Sequence, residues 1–253
     1  MSDLSQAAVL DALDAVYRNV TAVAGGLGEA DLMRPSRCAG WAVADVLYHE
    51  LLDARRALRT FASPADQPPD CDDVSYWTDY APDGDGASGD AASGSGAPGH
   101  AEESAAHARY VRIAAAAYPP GALAWEWSET AAAAVRAGRA CGHQAVTTQG
   151  HVLTVADFAA TLAVEAAVHY LDLTVALPDA PAPEPASLAL VRRVLDGLLG
   201  TPVPASWDDV TAALKGTGRE ALTEADRHAL GPLGQQVPSL RLTPTIGESR
   251  SSW

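Results

Sequence analysis

The chain is poor in the features that mark several large function classes. It has one lysine, Lys215, beside sixteen arginines, and none of these cations cluster with aromatics into a nucleic-acid footprint. An anionic membrane surface is disfavoured for the same reason. No run of eighteen apolar residues is free of charge, so no membrane span is expected. The first eight residues lack a basic stretch leading into an apolar one, so no secretory leader is expected. Only three cysteines occur, Cys38, Cys71 and Cys141, without paired spacing, which points to reduced thiols and a cytoplasmic setting. There is no Gly-x-Ser-x-Gly elbow and no Cys-x-x-Cys pair. The Gly-rich stretch Gly84 to Gly99 does not join a strand to a helix, so it is no phosphate cradle.

What is present is apolar residue in quantity, 48% over 253 residues, enough for a sizeable core. The net charge is −15, and it is unevenly placed. Ten acidic residues and no Lys or Arg lie between Asp66 and Glu103, so that segment carries about two thirds of the excess. Within it, Ala81 to Gly99 is almost wholly Gly, Ser, Ala, Asp and Pro, and it reads as disordered because it cannot bury apolar area. Val74-Ser75-Tyr76-Trp77 is the linker's one aromatic cluster and is expected to dock on the rest of the chain.

Hydrophobic periodicity predicts a mainly all-α fold. Helices are expected over Leu4 to Ala24 and Trp41 to Phe61. A third starts near Ala101, breaks at Pro119-Pro120 and resumes from Ala122 to Ala140. A hairpin is expected around Gln149-Gly150. A fourth helix runs from Thr154, with Asp157 completing a capping box, to Leu177 before Pro178. Residues 1–177 would form the main unit, with about 64–100 as an acidic insertion. Residues 178–253 would form a small C-terminal α or α+β unit: helices near Leu188 to Leu199, from Trp207-Asp208-Asp209, and over Leu222 to Leu230, then a loose tail after Leu242. Lys215 to Arg219 reads as a helix C-cap and turn rather than a phosphate loop.

The fourth helix carries the strongest chemical signal. It is nearly all Ala, Leu and Val from Phe158, yet Thr161, Glu165, His169 and Asp172 mark one stripe at spacings of four, four and three. A buried carboxylate and imidazole one turn apart are costly without a partner, and a divalent cation satisfies both. His49, in the middle of the second long helix, is the best third donor. Two nitrogens and one oxygen would leave a coordination position open. Spacing alone also fits a satisfied core histidine beside a chance Glu–His pair. His100 and His107 read as solvated, His228 sits in a polar stretch, and His143 or His151 could line the site. Cys38 reads as structural.

Cys38-Ala39-Gly40-Trp41-Ala42-Val43-Ala44-Asp45-Val46-Leu47-Tyr48-His49 resembles the C-P-G-W-x-V-x-D-L-x-x-H segment of mycothiol-dependent maleylpyruvate isomerase N-terminal domains, in the DinB-like superfamily. Glu165 to Leu173 resembles that family's E-x-x-V-H-x-x-D-L helix. The resemblance spans roughly residues 5–177. It implies a DinB-like four-helix bundle in which His49, Glu165 and His169 hold a divalent metal, usually zinc. It implies mycothiol or a related low-molecular-weight thiol as cosubstrate, and a small electrophile as the other partner. Asp53 or Asp172 would orient a ligand histidine. Trp41 reads as a packing residue. Three features depart from the family pattern: Ala39 replaces Pro, Ala42 stands where a Thr or Ser cap is usual, and the acidic insertion is long. The C-terminal unit is short for the full isomerase, which weighs toward thiol S-transfer over cis-trans isomerisation. A non-catalytic metal- or ligand-binding module is the third alternative. The oligomeric state is left open, a homodimer included.

Overall fold

The computed structural model describes residues 4–80, 99–119, 121–142, 144–235 and 237. Two sequence expectations therefore fall outside the described residues: disorder of Ala81 to Gly99, apart from Gly99 itself, and the tail after Leu242. His143 also lies outside them.

Helix α1 spans Gln6–Ala24. It starts two residues later than periodicity predicts because Ser5 is the N-cap, its Oγ accepting from the Ala8 N–H at 3.3 Å. A one-turn helix, α2 (Glu29–Leu32), occupies the predicted loop. Helix α3 spans Val43–Phe61, so Trp41 lies outside it. Gly40 has φ +75° and Ala42 is extended, which delays the start. Lacking a Ser or Thr cap, the first turn is closed by Asp45, whose Oδ2 accepts from the Ala42 N–H at 2.8 Å.

The linker after α3 is tied down rather than loose up to Tyr80. Tyr76 and Trp77 are buried, as the docking expectation requires, in a short 3-10 helix over Ser75–Tyr80. Helices α4 (Gly99–Ala116) and α5 (Ala122–Ala140) are the two halves of the predicted third helix. Strands β1 (Ala145–Thr148) and β2 (His151–Thr154) form the hairpin, paired Ala145 to Thr154 and Thr148 to His151. Gln149 and Gly150 both have positive φ, 45° and 87°, as a two-residue hairpin turn demands.

Helix α6 spans Val155–Thr174 and ends before the predicted Leu177. At its start the Asp157 N–H donates to Thr154 Oγ1 at 3.0 Å, and the Thr154 hydroxyl donates to Asp157 Oδ2 at 2.6 Å. Every residue from Phe158 to Leu173 is buried. Helices α1, α3, α5 and α6 form the four-helix bundle, α3 and α1 each touching both α5 and α6, with α4 laid along α3. The fold is mainly helical, as the sequence predicts.

Beyond the bundle come α7 (Pro185–Leu199), α8 (Asp209–Gly216) and α9 (Glu224–Leu230). Helix α7 packs on α6 and α1, and α8 on α7 and α6, so their apolar side chains extend the bundle core. Past α8, Gly218 has φ +73° and the Arg219 N–H returns to Leu214 O at 2.8 Å. This is the expected helix C-cap, and it turns the Arg219 side chain back toward α6. No helix among the described residues is long and apolar enough to cross a membrane.

The α7–α8 contact is tight at Gly216, where an added Cβ would lie 2.4 Å and 2.8 Å from the two Leu195 methyls and 3.1 Å from Cγ. Overpacking costs ~1–3 kcal/mol and the Gly-to-Ala propensity gain returns at most ~1 kcal/mol. Gly216→Ala should therefore lower stability by about 1–2 kcal/mol, read as a reduced urea midpoint at unchanged slope.

Candidate metal centre

The α3–α6 seam contains two polar stripes. On α3, Asp45, His49, Asp53 and Arg56 recur at helical spacing; on α6, Glu165, His169 and Asp172 do so. Helix packing sets His49 against the α6 stripe. One donor atom each from His49, Glu165 and His169 lies within 4.8 Å of the others. The His49 and His169 rings meet edge to face with centroids 4.9 Å apart, and His169 Nε2 stands 3.6 Å from Glu165 Oε2. The three residues are 7%, 8% and 3% exposed, so they have been taken out of water.

Desolvation should be offset by hydrogen bonds, but here it is not. Both His49 nitrogens, His169 Nε2 and Glu165 Oε2 are buried with no hydrogen-bond partner among the described residues. Buried groups left unpaired in this way cost ~1–3 kcal/mol each. Burial, with His169 beside it, pushes the His49 pKa down to about 3. Burial and the nearby Asp53 charge push Glu165 well above the carboxylate range. Neutral imidazole is the form that ligates a cation, and a cation would restore the Glu165 carboxylate. A cation with directional bonding capacity is one partner that would satisfy all three residues.

A hydrogen-bonded knot sits behind His169. Asp172 Oδ2 lies 3.0 Å from His169 Nδ1. Arg219 Nε donates to both Asp172 carboxylate oxygens, at 2.7 and 2.9 Å, and its Nη2 donates to Oδ2 at 2.7 Å. The Cys38 thiol donates to the same oxygen at 3.3 Å, because the neighbouring Arg37 N–H is bonded to Asp172 O at 2.9 Å. Burial would raise the Asp172 pKa, but the His169 bond and the Arg219 charge outweigh it and hold the carboxyl well below its usual range. Burial and that carboxylate push the Cys38 thiol up, so it stays protonated.

Of the two acids expected to orient a histidine, Asp172 faces His169, whereas Asp53 bonds to Arg56 at 3.1 Å. Trp41 packs its ring 5.5 Å from His49. His107 is exposed, as read, yet its ring reaches within 5.7 Å of His49. His151 lies on the hairpin and His228 on the exposed side of α9. Sequence reasoning missed the parts played by Cys38, Arg219 and Arg56. The Arg56 signal was legible as the i+7 member of the His49 stripe; nothing local announces Arg219.

A cleft of about 680 Å³ flanks the seam, lined in part by Asp53, Arg56, Arg59, His107, Tyr110 and Gln149. Arg59 is exposed and forms no ion pair among the described residues, and Arg56 Nη1 is buried without a hydrogen-bond partner. The wall next to the histidines is thus cationic.

Residues 13–174 match the family described as the mycothiol maleylpyruvate isomerase N-terminal domain. The chain belongs to this family. The match covers all four bundle helices, apart from the first turns of α1, and stops at the end of α6. No curated protein and no solved structure matches the chain. Membership of the mycothiol maleylpyruvate isomerase N-terminal domain family ties the bundle to a mycothiol-related role, and the knot built by Asp172 belongs to its matched part. Arg219 is added from outside that part.

Removing one partner of a buried charge pair costs ~3–5 kcal/mol, whereas removing both can be near neutral. Asp172→Ala should be destabilised by about 3–5 kcal/mol, and adding Arg219→Met should recover most of it. Denaturant titration of both variants tests this.

Proposed function

We propose that the chain is a metal-dependent enzyme of the cytoplasm that joins mycothiol, or a similar low-molecular-weight thiol, to a small electrophile. The observation that carries the reading is the set of unpartnered, buried donor atoms on His49, Glu165 and His169. These residues would hold the cation, and two imidazoles with one carboxylate suit a zinc-type ion. Bound there, such a cation lowers the pKa of a coordinated thiol and makes thiolate available near neutral pH.

The chain's own residues supply the remaining functions. Asp172 bonds His169 Nδ1, fixing the ring so that Nε2 is presented to the site. Arg219 keeps that carboxylate ionised and in place. Trp41 and the apolar α6 wall exclude water from one side. On the other side, Arg56 and Arg59 offer charge-assisted hydrogen bonds to a carboxylate or other anionic group on the electrophile. In the overall transfer the thiol loses its S–H proton to solvent, sulfur bonds the electrophilic carbon, and the leaving group departs with its electron pair.

A second reading is isomerisation of a maleylpyruvate-like acid by reversible thiol addition. The family match favours it, and the arginine wall suits a dianion equally well. The two readings differ in stoichiometry, since isomerisation consumes no thiol.

Protein purified without added metal should contain close to one equivalent of a zinc-type ion by elemental analysis, and His169→Ala should lose it. An unchanged metal content in that variant would falsify the ligand set. With mycothiol and an electrophile, wild type should consume thiol and His169→Ala should not; product formed at constant thiol would select isomerisation. Tight metal without thiol binding would select a non-catalytic module. For an acidic electrophile, Arg59→Ala should raise KM about tenfold at little-changed kcat, in line with ~1.5 kcal/mol for one charge-assisted bond.

A further inference from the structure

A separate donor cluster lies on the outer edge of the hairpin. Asp70 and Cys71, in the linker after α3, face His151 at the start of β2. One donor atom from each lies within 4.8 Å of the others, and Asp70 Oδ1 stands 3.4 Å from His151 Nδ1. The two segments are eighty residues apart, but they are held in register. The Asp70 N–H donates to Val152 O at 3.0 Å, and the Val152 N–H donates back to Asp70 Oδ1 at 3.1 Å. This reciprocal pair fixes Asp70 beside the His151–Val152 peptide and delivers Cys71, the next residue, to the same edge. Val152 and His151 also hold the Asp70 pKa below its usual value, so the carboxylate is anionic.

The geometry points to a second cation site, formed by Asp70 Oδ, Cys71 Sγ and a His151 ring nitrogen, that takes a zinc-type ion. Thiolate with imidazole excludes magnesium and calcium, which want oxygen alone. Zinc bonds of ~2.0–2.3 Å place tetrahedral donors roughly 3–4 Å apart, so side-chain movements of about an ångström close the site. Cys71 loses its proton to solvent on binding, and with three donors a solvent position remains. Asp70 is 51% and His151 25% exposed, so an ion reaches the site without the bundle opening. Occupied, the site would staple the linker to the hairpin, whose turn residue Gln149 borders the arginine cleft. None of this depends on chemistry at His49, Glu165 and His169.

Cobalt(II) titration of the metal-free full chain is the test, because cobalt thiolate gives a near-ultraviolet charge-transfer band and the His49 set contains no sulfur. The expected result is a saturable band at one equivalent that disappears in Cys71→Ser and His151→Ala but persists in Cys38→Ser and His169→Ala. Total cobalt should fall by one equivalent in Cys71→Ser, from two to one. Should the His49 set bind nothing, the band survives at a total of one equivalent, so the two readings fail separately. A band that persists in Cys71→Ser, that vanishes in Cys38→Ser, or that needs a large cobalt excess would overturn the second site.

Discussion

The structure depends on one carboxylate. Asp172 is fully buried near the end of α6, and three separate segments converge on it: His169 from its own helix, Cys38 from the loop before α3, and Arg219 from the turn after α8. A lone carboxylate at this depth would take up a proton rather than remain charged. Arg219 prevents that, and the retained charge orders its neighbours. The consequence reaches outward in both directions. Toward the surface, Asp172 ties the C-terminal helices to the bundle through an ion pair as well as apolar packing. Toward the interior, it occupies His169 Nδ1, leaving Nε2 directed at Glu165 and His49.

That arrangement explains why two kinds of buried polar group coexist within one seam. Around Asp172 each charge is answered by hydrogen bonds. Two turns earlier on α6, at Glu165, and across on α3, at His49, the donors have no answer. The contrast argues against poor packing as the cause, since Asp172, buried in the same seam, is fully hydrogen-bonded. Nor does simple burial explain it. Helix α6 is mostly Ala, Leu and Val, and apolar residues at positions 165 and 169 would pack without the desolvation cost. Four such atoms, from three residues, gather in one small volume, which is where a cost of this kind is kept when a ligand relieves it.

Much of this was legible along the chain because helices translate sequence spacing into faces. The 161, 165, 169, 172 stripe is visible in the sequence, and so is the apolar field that forces it inward. Pairing with His49 was also readable, since His49 sits in the middle of a periodic helix expected to pack beside α6. The bundle followed from four periodic segments, although helix starts shifted by two residues where Ser5 and Asp45 supplied caps that periodicity does not register. Arg219 and Cys38 were not legible, because their roles arise from contacts spanning 47 and 134 residues that no local pattern encodes. Asp53 was ambiguous for the opposite reason. It lies four residues from His49 and three from Arg56, and only the rotamers decide between them.

The distribution of charge bears on which ligands can approach the seam. A chain of net charge −15 repels anions at long range, which runs against an arginine-walled cleft. The conflict dissolves once distance is considered. At physiological ionic strength the screening length is about 8 Å, so acidic residues further away act weakly, while Arg56 and Arg59 touch whatever occupies the cleft. Two opposed unit charges 4 Å apart gain about 4 kcal/mol at an effective dielectric constant of 20, well above what the screened background removes. Anion selectivity would then be a local property of one stretch of α3, Arg56 to Arg59, two to three turns beyond His49. The same helix thus sets a cationic wall and a neutral imidazole side by side, and a carboxylate seated on that wall would hold the atoms attached to it beside the His49–Glu165–His169 cluster.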